Sequence, residues 1–358
     1  MSNFFLELYS EEIPHNLQIS AREQLKKLIE NTLNENEIKF GAFDVFSTPK
    51  RICVTIKDIA MEQKIEPQEV KGPRVGCNEQ ALDGFLKSRS LNINDLIQKG
   101  TDKGEFYFAN LPAKNILTTE ILEEKLPIIF KSINWKKSMR WSNHDCFWGR
   151  PLISICSLLD SQVLNFNFFH IKSSNITYVN GPFEDKEIKI KNFDEYKKIL
   201  RQNNIELDHK QRELNIRTKL EELLKRNKCS TDLSSRLVEE VVNLVENPVI
   251  LKGKFNKEYL DLPDELLNLT MIHHQRYFPM KLETDNKLIN NFLFVANNFD
   301  NKNLITQGNE KVINARLTDA KFFWDKNKKQ SLVKQVTKLN SIVFYQKLGS
   351  LYDKTQRV

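Results

Sequence analysis

Phe4-Phe5-Leu6-Glu7-Leu8-Tyr9-Ser10-Glu11-Glu12-Ile13-Pro14 sets how the chain begins. Phe4, Leu6 and Leu8 recur with a period of two, which puts them on one face of a β-strand, until Glu11-Glu12-Ile13-Pro14 breaks the pattern. Leu17, Ala21, Leu25, Leu28 and Ile29 then form one apolar stripe over three turns, predicting a helix with Asn16 as its N-cap. Phe43 to Phe46 and Ile52, Val54 and Ile56 read as two strands joined at Ser47-Thr48-Pro49-Lys50. The first sixty residues therefore predict a β-α-β-β unit.

Working outward, residues 62–125 mix helix and strand signals, with a loop at Lys71-Gly72-Pro73-Arg74-Val75-Gly76 and a turn at Thr101-Asp102-Lys103-Gly104-Glu105 feeding Phe106-Tyr107-Phe108. Leu152 to Leu159 and Val163 to Phe169 predict buried strands, the second with 164, 166 and 168 on its apolar face. Residues 205–246 predict a charged helical hairpin. Leu214, Leu220, Leu223 and Leu224 stripe its first helix, and Leu233, Leu237, Val241, Leu244 and Val245 its second, with Ser230 or Thr231 as cap and Pro248 past the end. Val249-Ile250-Leu251, Tyr277-Phe278 and Phe292 to Val295 return to strand composition, and a helix from about 309 carries Val312, Ile313, Leu317 and Ala320. The expected class is α+β: multi-module, with mixed sheets, a helical hairpin insertion and a C-terminal helical segment. The expected modules are 1–175, 176–330 and 331–358.

A length of 358 residues admits two or three domains. A hydrophobic fraction of 40%, with 23 Phe, is enough to build their cores. Lys+Arg 54 against Asp+Glu 47 leaves +7, which permits a polyanionic partner, with a solvated mixed-charge surface as the competing reading. No apolar run reaches the roughly 18–20 residues of a membrane span, and Met1-Ser2-Asn3-Phe4 has no basic lead, so no membrane association and a cytoplasmic location are expected. Cysteines at 53, 77, 146, 156 and 229 form an odd set without a Cys-x-x-Cys pair, which argues against a disulfide framework and a zinc finger.

The glycines form no phosphate-binding loop and the histidines show no metal-ligand spacing, so no metal site and no nucleotide cradle are expected. His144-Asp145 is a lone dipeptide that reads as loop, and Cys146 as structural. Glu11-Glu12 point to opposite faces of an extended backbone and read better as charge at a helix entry. No catalytic residue is expected.

Basic residues interleaved with aromatics say more. From Trp135 to Arg150, three of the four tryptophans stand among Lys136, Lys137, Arg140 and Arg150, mixing stacking planes with phosphate-pairing groups as nucleic-acid surfaces do. The competing reading is a core edge, with packed tryptophans and solvated cations. His273-His274-Gln275-Arg276-Tyr277-Phe278 is a second cluster, and Lys50-Arg51 with Lys71 and Arg74 a third, each also readable as solvated loop. On the helix from 308 to 320, Arg316 either pairs with Asp319 or reaches a phosphate. The candidate contacts are Lys50, Arg51, Lys71, Arg74, Arg140, Trp141, Arg150, His274, Arg276, Lys311 and Arg316.

Ordered motifs then point to a family. Phe5 through Pro14, Ser47-Thr48-Pro49-Lys50-Arg51, Lys71-Gly72-Pro73, Thr101 through Glu105, and Met139-Arg140-Trp141 with Arg150-Pro151 resemble, in order and spacing, the β subunit of bacterial tetrameric glycine-tRNA ligase. Val245-Glu246-Asn247-Pro248-Val249, Gln275 through Pro279, Gly308 through Val312, Ala315 through Ala320 with Phe322-Phe323, and Leu348 through Lys354 extend the resemblance over essentially the whole chain. The chain departs from the family by reading Tyr178-Val179-Asn180-Gly181-Pro182-Phe183 where a Gly-His-Arg-Phe element is usual.

The resemblance implies the N-terminal half of a longer subunit, or a truncated gene product, with 331–358 the start of a helical domain similar to His-Asp phosphohydrolases. It implies a tRNA-binding subunit without a catalytic site or cofactor of its own. ATP and Mg would be used by the α subunit, the partners would be that subunit and glycine tRNA, and the assembly would be α2β2. Two rival functions stay open: an editing-type hydrolase of mischarged tRNA, suggested by the family's region similar to the editing domain of the phenylalanine enzyme, and an assembly scaffold for the α subunit.

Overall fold

A computed structural model describes residues 2–358 apart from 66, 90, 102–103, 112–113, 141–144, 146, 180–184 and 234. The chain forms two compact units: Met1–Ile13, Leu17–Phe46 and Lys50–Ile199 make unit 1, and Pro14–Asn16, Ser47–Pro49 and Leu200–Val358 make unit 2. The division after Ile199 differs from the expected one after 175. The antiparallel pair Ile176–Val179 and Lys186–Lys189 and most of the following helix belong to unit 1.

Unit 1 is built on β1 (Ser2–Ser10), α1 (His15–Glu35), β2 (Phe43–Thr48) and β3 (Arg51–Ile59), the expected β-α-β-β order, with the first residues of α1, His15 and Asn16, and the last of β2, Ser47 and Thr48, belonging to unit 2. The helix starts at His15, directly after Pro14, so Asn16 lies inside it rather than capping it. Helix α2 (Thr118–Ser132) and strand β4 (Leu152–Leu159) complete the frame. The sheet runs Asn167–Phe168, Ile171–Ser174, β4, β1, β3, β2, with Gln162–Val163 also paired to β4. Antiparallel pairing of β1 with both β3 and β4 makes it central.

Because side chains alternate, Phe4, Leu6 and Leu8 with Ile52, Val54 and Ile56 form one face. They bury against Leu17, Ala21, Leu25, Ile29 and Leu33 of α1 and Leu122, Leu126 and Phe130 of α2. Each of the leucines, isoleucines, valines and phenylalanines among them contributes about 1.5–3 kcal/mol. The opposite face carries Phe5, which packs on Phe193 and Tyr196 of α3 (Phe193–Gln202) at 5.3 and 4.7 Å. That face also holds Glu7 and Arg51, both fully buried and 3.6 Å apart. Tyr196 and Thr177 hydroxyls donate to Glu7 Oε1 at 2.6 and 3.0 Å, and Arg51 donates to the Tyr178 carbonyl. Burial, with Cys53 and Glu7 nearby, pushes the Tyr196 hydroxyl well above its usual range, so it stays protonated and donates.

Three local expectations change. Residues 71–74 belong to a strand, Gln68–Arg74, paired with Gly104–Leu111. The register slips between Lys71 and Arg74, a bulge that accommodates Pro73 without a ladder N–H. The strand expected over 163–169 splits into Gln162–Val163 and Asn167–Phe168, because the Ser173 hydroxyl takes over the Leu164 and Phe166 backbone groups. In the tryptophan segment, Trp148 is buried against Phe130, Phe168 and Trp135, so its ring and that of Trp135 serve the core edge. A Cβ on Gly149 would meet the Trp135 ring at 2.5 Å. Gly149→Ala is expected to cost about 1–3 kcal/mol by overpacking and to shift the tryptophan emission; a urea melt followed by fluorescence measures both, and an unchanged midpoint refutes it.

Unit 2 contains α4 (His209–Arg226), α5 (Ser235–Val242), β5 (Val249–Lys254), β6 (Phe278–Leu282), β7 (Leu288–Ala296) and α6 (Leu304–Lys328). The antiparallel sheet runs Cys229–Ser230, β6, β7, β5. One face, with Phe278, Met280 and Leu293, packs on Ile216, Leu220 and Leu224 of α4 and Leu237, Val238 and Val241 of α5. The other, with Phe292 and Phe294, packs on Ile313 and Leu317 of α6 and on Tyr259, Leu267 and Met271. The first hairpin helix thus buries Arg212 and Ile216 where Leu214 was expected, and Leu214 is exposed. Ser230 sits in a strand and α5 starts at Ser235, so neither Ser230 nor Thr231 is the cap. Leu244 falls beyond α5 and is 47% exposed, and on α6 Val312 is exposed while Ile313 is buried. Residues 331–358 form short helices and a Val343–Tyr345/Gly349–Ser350 pair, the last helix capped by Ser350 with Asp353.

Candidate nucleic-acid interface

A π-helical turn, Leu269–His274, ends unit 2's irregular helical segment, and the chain then reverses through Arg276 at φ 59° to enter β6. Tyr277 N–H donates back to the Met271 carbonyl at 2.8 Å. This reversal drives Tyr277 inward, where it stacks on Phe292 at 4.6 Å and donates its hydroxyl to Asn309 Oδ1 at 2.6 Å. His273, His274 and Arg276 are left at the surface side of the same turn.

Burial pushes the Tyr277 hydroxyl from 10.0 up to about 12. The folded state therefore favours the neutral phenol. Its contribution is whole below the unfolded value near 10 and is lost as pH rises through about 12. Tyr277→Phe is expected to flatten the fall in stability between pH 10 and 12, and parallel stability curves for parent and variant would refute this.

Glu240 on α5 organises the neighbouring basic side chains. It accepts from Arg276 Nε, Arg236 Nε lies 3.5 Å from it and His15 Nε2 3.9 Å. Arg276 also donates through Nη1 to the His273 carbonyl, so its guanidinium is held from two sides. Arg316 is exposed on α6, flanking the buried stripe of Ile313 and Leu317, about 60° around the helix from the first and about 100° from the second. Together His15, Leu244, His273, His274, Arg276 and Arg316 line a hollow of about 510 Å³. Two arginines with three imidazoles form a surface suited to phosphate oxygens, since guanidinium donors match them in a planar fork.

The structure thus brings together His274, Arg276 and Arg316 from the expected set. Lys311 is exposed on the same helix, five residues before Arg316 and so about 140° around it. The remaining candidates belong to unit 1. Lys50 pairs with Asp185 at 3.2 Å. Arg51 is a correction: wholly buried on Glu7 and Tyr178, it is unavailable to a phosphate. Exposed Lys71 lies over the Phe106 ring at 3.5 Å, and Arg74 is exposed beside Gly104. Arg140 is paired with Asp145 at 2.6 Å, and half-buried Arg150 donates to its neighbour's carbonyl. Trp141, with His144 and Cys146, lies outside the described residues. Among the described residues no group of three His, Cys, Asp or Glu is placed to hold a metal, and no helix is long and apolar enough to cross a membrane. Burial and the nearby Glu7 push the Cys156 thiol up, the wrong direction for a nucleophile.

Sequence reasoning missed His15, Arg236, Glu240 and Leu244. The Arg236/Glu240 spacing of four was a legible helical pair. His15 carried no such signal, being hundreds of residues from its neighbours in the hollow.

A family profile described as glycyl-tRNA synthetase beta subunit matches residues 4–358. The chain is 37% identical over 362 residues to the glycine-tRNA ligase beta subunit of Rickettsia typhi (strain ATCC VR-144 / Wilmington) and 36% over 362 residues to that of Rickettsia conorii (strain ATCC VR-613 / Malish 7). The corresponding protein of Rickettsia bellii (strain OSU 85-389) is 35% identical over 359 residues. Each comparison covers 100% of this chain and 54% of the relative, so the chain spans about half the length of the curated relatives it matches.

Proposed function

Because the chain belongs to the glycyl-tRNA synthetase beta-subunit family, we propose that it is a cytoplasmic, tRNA-binding and non-catalytic part of glycine-tRNA ligase. The observation that carries this reading is the hollow in unit 2, where His15, His273, His274, Arg276 and Arg316 converge. Phosphate contacts there fix the register of the RNA without supplying chemistry. An α subunit, in an α2β2 assembly, performs the ATP- and Mg-dependent activation of glycine, and this chain helps hold the tRNA so that its 3′ end reaches that site.

Filter binding of glycine tRNA at two salt concentrations tests the reading. Arg316→Ala is expected to weaken binding and to reduce the salt slope by about 0.7–0.9, the share of one phosphate contact. Arg276→Ala is expected to do the same. Unchanged affinity and slope in both variants would overturn the proposal.

A further inference from the structure

Beside the basic hollow, and sharing Leu244 and Arg276 with it, lies a second cavity of about 380 Å³ whose character is different. Its walls are mainly apolar, with Val245, Tyr277, Ala296 and Ile305 standing with Leu244 around it, and Asn297 and Asn298 at the polar part of the lining. The half-exposed Leu244 is an apolar side chain that the core does not claim. Amides sit along this wall. The Asn309 amide is used on both sides, accepting from Tyr277 and donating to the Ile305 carbonyl, whereas the Gln275 amide makes no hydrogen bond among the described residues. Gln275 precedes Arg276 directly, so one turn presents an amide to the apolar cleft and a guanidinium to the seam between the two cavities.

An intact double helix would engage the hollow through its phosphates and leave the cleft empty. An unpaired nucleotide uses both, because its base is a flat apolar body with a hydrogen-bonding edge and its phosphate is an anion one sugar away. We infer that the two cavities form one nucleotide pocket, with the phosphate of an unpaired RNA nucleotide on Arg276 and Arg316 and its base in the cleft against Leu244 and Ala296, its edge toward Gln275. This inference rests on the RNA-binding reading above and narrows it to a flipped-out nucleotide.

Titration calorimetry of the whole chain with inorganic phosphate, ribose 5-phosphate and the four nucleoside 5′-monophosphates tests it, with glycine tRNA as a separate arm. At least one nucleotide is expected to bind tenfold or more tightly than ribose 5-phosphate. Leu244→Ser, a substitution at an exposed position checked by a thermal melt, is expected to reduce that preference several-fold. Arg316→Ala is expected to weaken every phosphate-bearing ligand. Equal binding of nucleotides and ribose 5-phosphate, or a preference that survives Leu244→Ser, would overturn the pocket. If tRNA still binds in that case, the RNA-binding reading stands without it; if tRNA does not bind at all, that reading is what has failed.

Discussion

Arg51→Ala is expected to destabilise the protein by about 3–5 kcal/mol, because it strips a wholly buried carboxylate of its cation. Glu7 would keep the Tyr196 and Thr177 hydroxyls, but two neutral donors do not offset the charge in a site closed to water. Arg51 also lies 5.0 Å from the Tyr9 ring and bonds the Tyr178 carbonyl, so its removal leaves an acceptor and a packing gap as well. The double variant Glu7→Gln/Arg51→Met removes both charges while keeping volume, and is expected to cost clearly less than Arg51→Ala alone. Urea unfolding followed by fluorescence, with Trp135 and Trp148 reporting on unit 1, measures both. A loss below about 1 kcal/mol for Arg51→Ala would contradict the pairing, and a double variant worse than the single would contradict the charge argument.

The same residue shows how far the sequence could be read. Period-two alternation correctly assigned β1 and β3, and it places Arg51 with Cys53 and Thr55, opposite Ile52, Val54 and Ile56. What alternation cannot say is whether the second face is wet. Here α3 covers Phe5, so a sheet with one obvious apolar face is buried on both. The tryptophan segment misleads in a related way: Trp135 and Trp148 look like stacking planes beside cations, but their rings close the edge of a core whose other members lie far off in sequence. The hollow was half legible. His273, His274 and Arg276 stand together in the chain and Arg316 on a clear helix, whereas His15 and Glu240 join them only through the folding of unit 2.

Arg212→Ala is expected to cost about 3–5 kcal/mol, for a different reason. Arg212 occupies a position on the apolar stripe of α4, in step with Ile216, Leu220 and Leu224, and is fully buried. Hydropathy assigns that place to a leucine, which is why Leu214 was expected there. The guanidinium instead gathers carbonyls: Nε donates to Val242 at 3.1 Å, Nη1 to Glu206 and Leu207 at 2.7 and 3.0 Å, and Nη2 to Ser47 at 2.7 Å. Val242 ends α5, so one of these bonds satisfies a terminal helix carbonyl and sets a positive charge against the negative end of its dipole. Leaving several buried acceptors unpaired costs about 1–3 kcal/mol each before relaxation, which sets the scale of the loss. Arg212→Lys keeps the charge but replaces a planar fork with a single ammonium, and is expected to recover less than half of the stability. A second readout follows from position. Leu244, at the seam of the two cavities, lies two residues past Val242, so loosening this end of α5 is expected to weaken nucleotide or tRNA binding under conditions where the variant remains folded. Chemical denaturation and binding at low temperature measure the two effects separately, and an Arg212→Lys protein as stable as the parent would show that the fork geometry is not what holds unit 2 together.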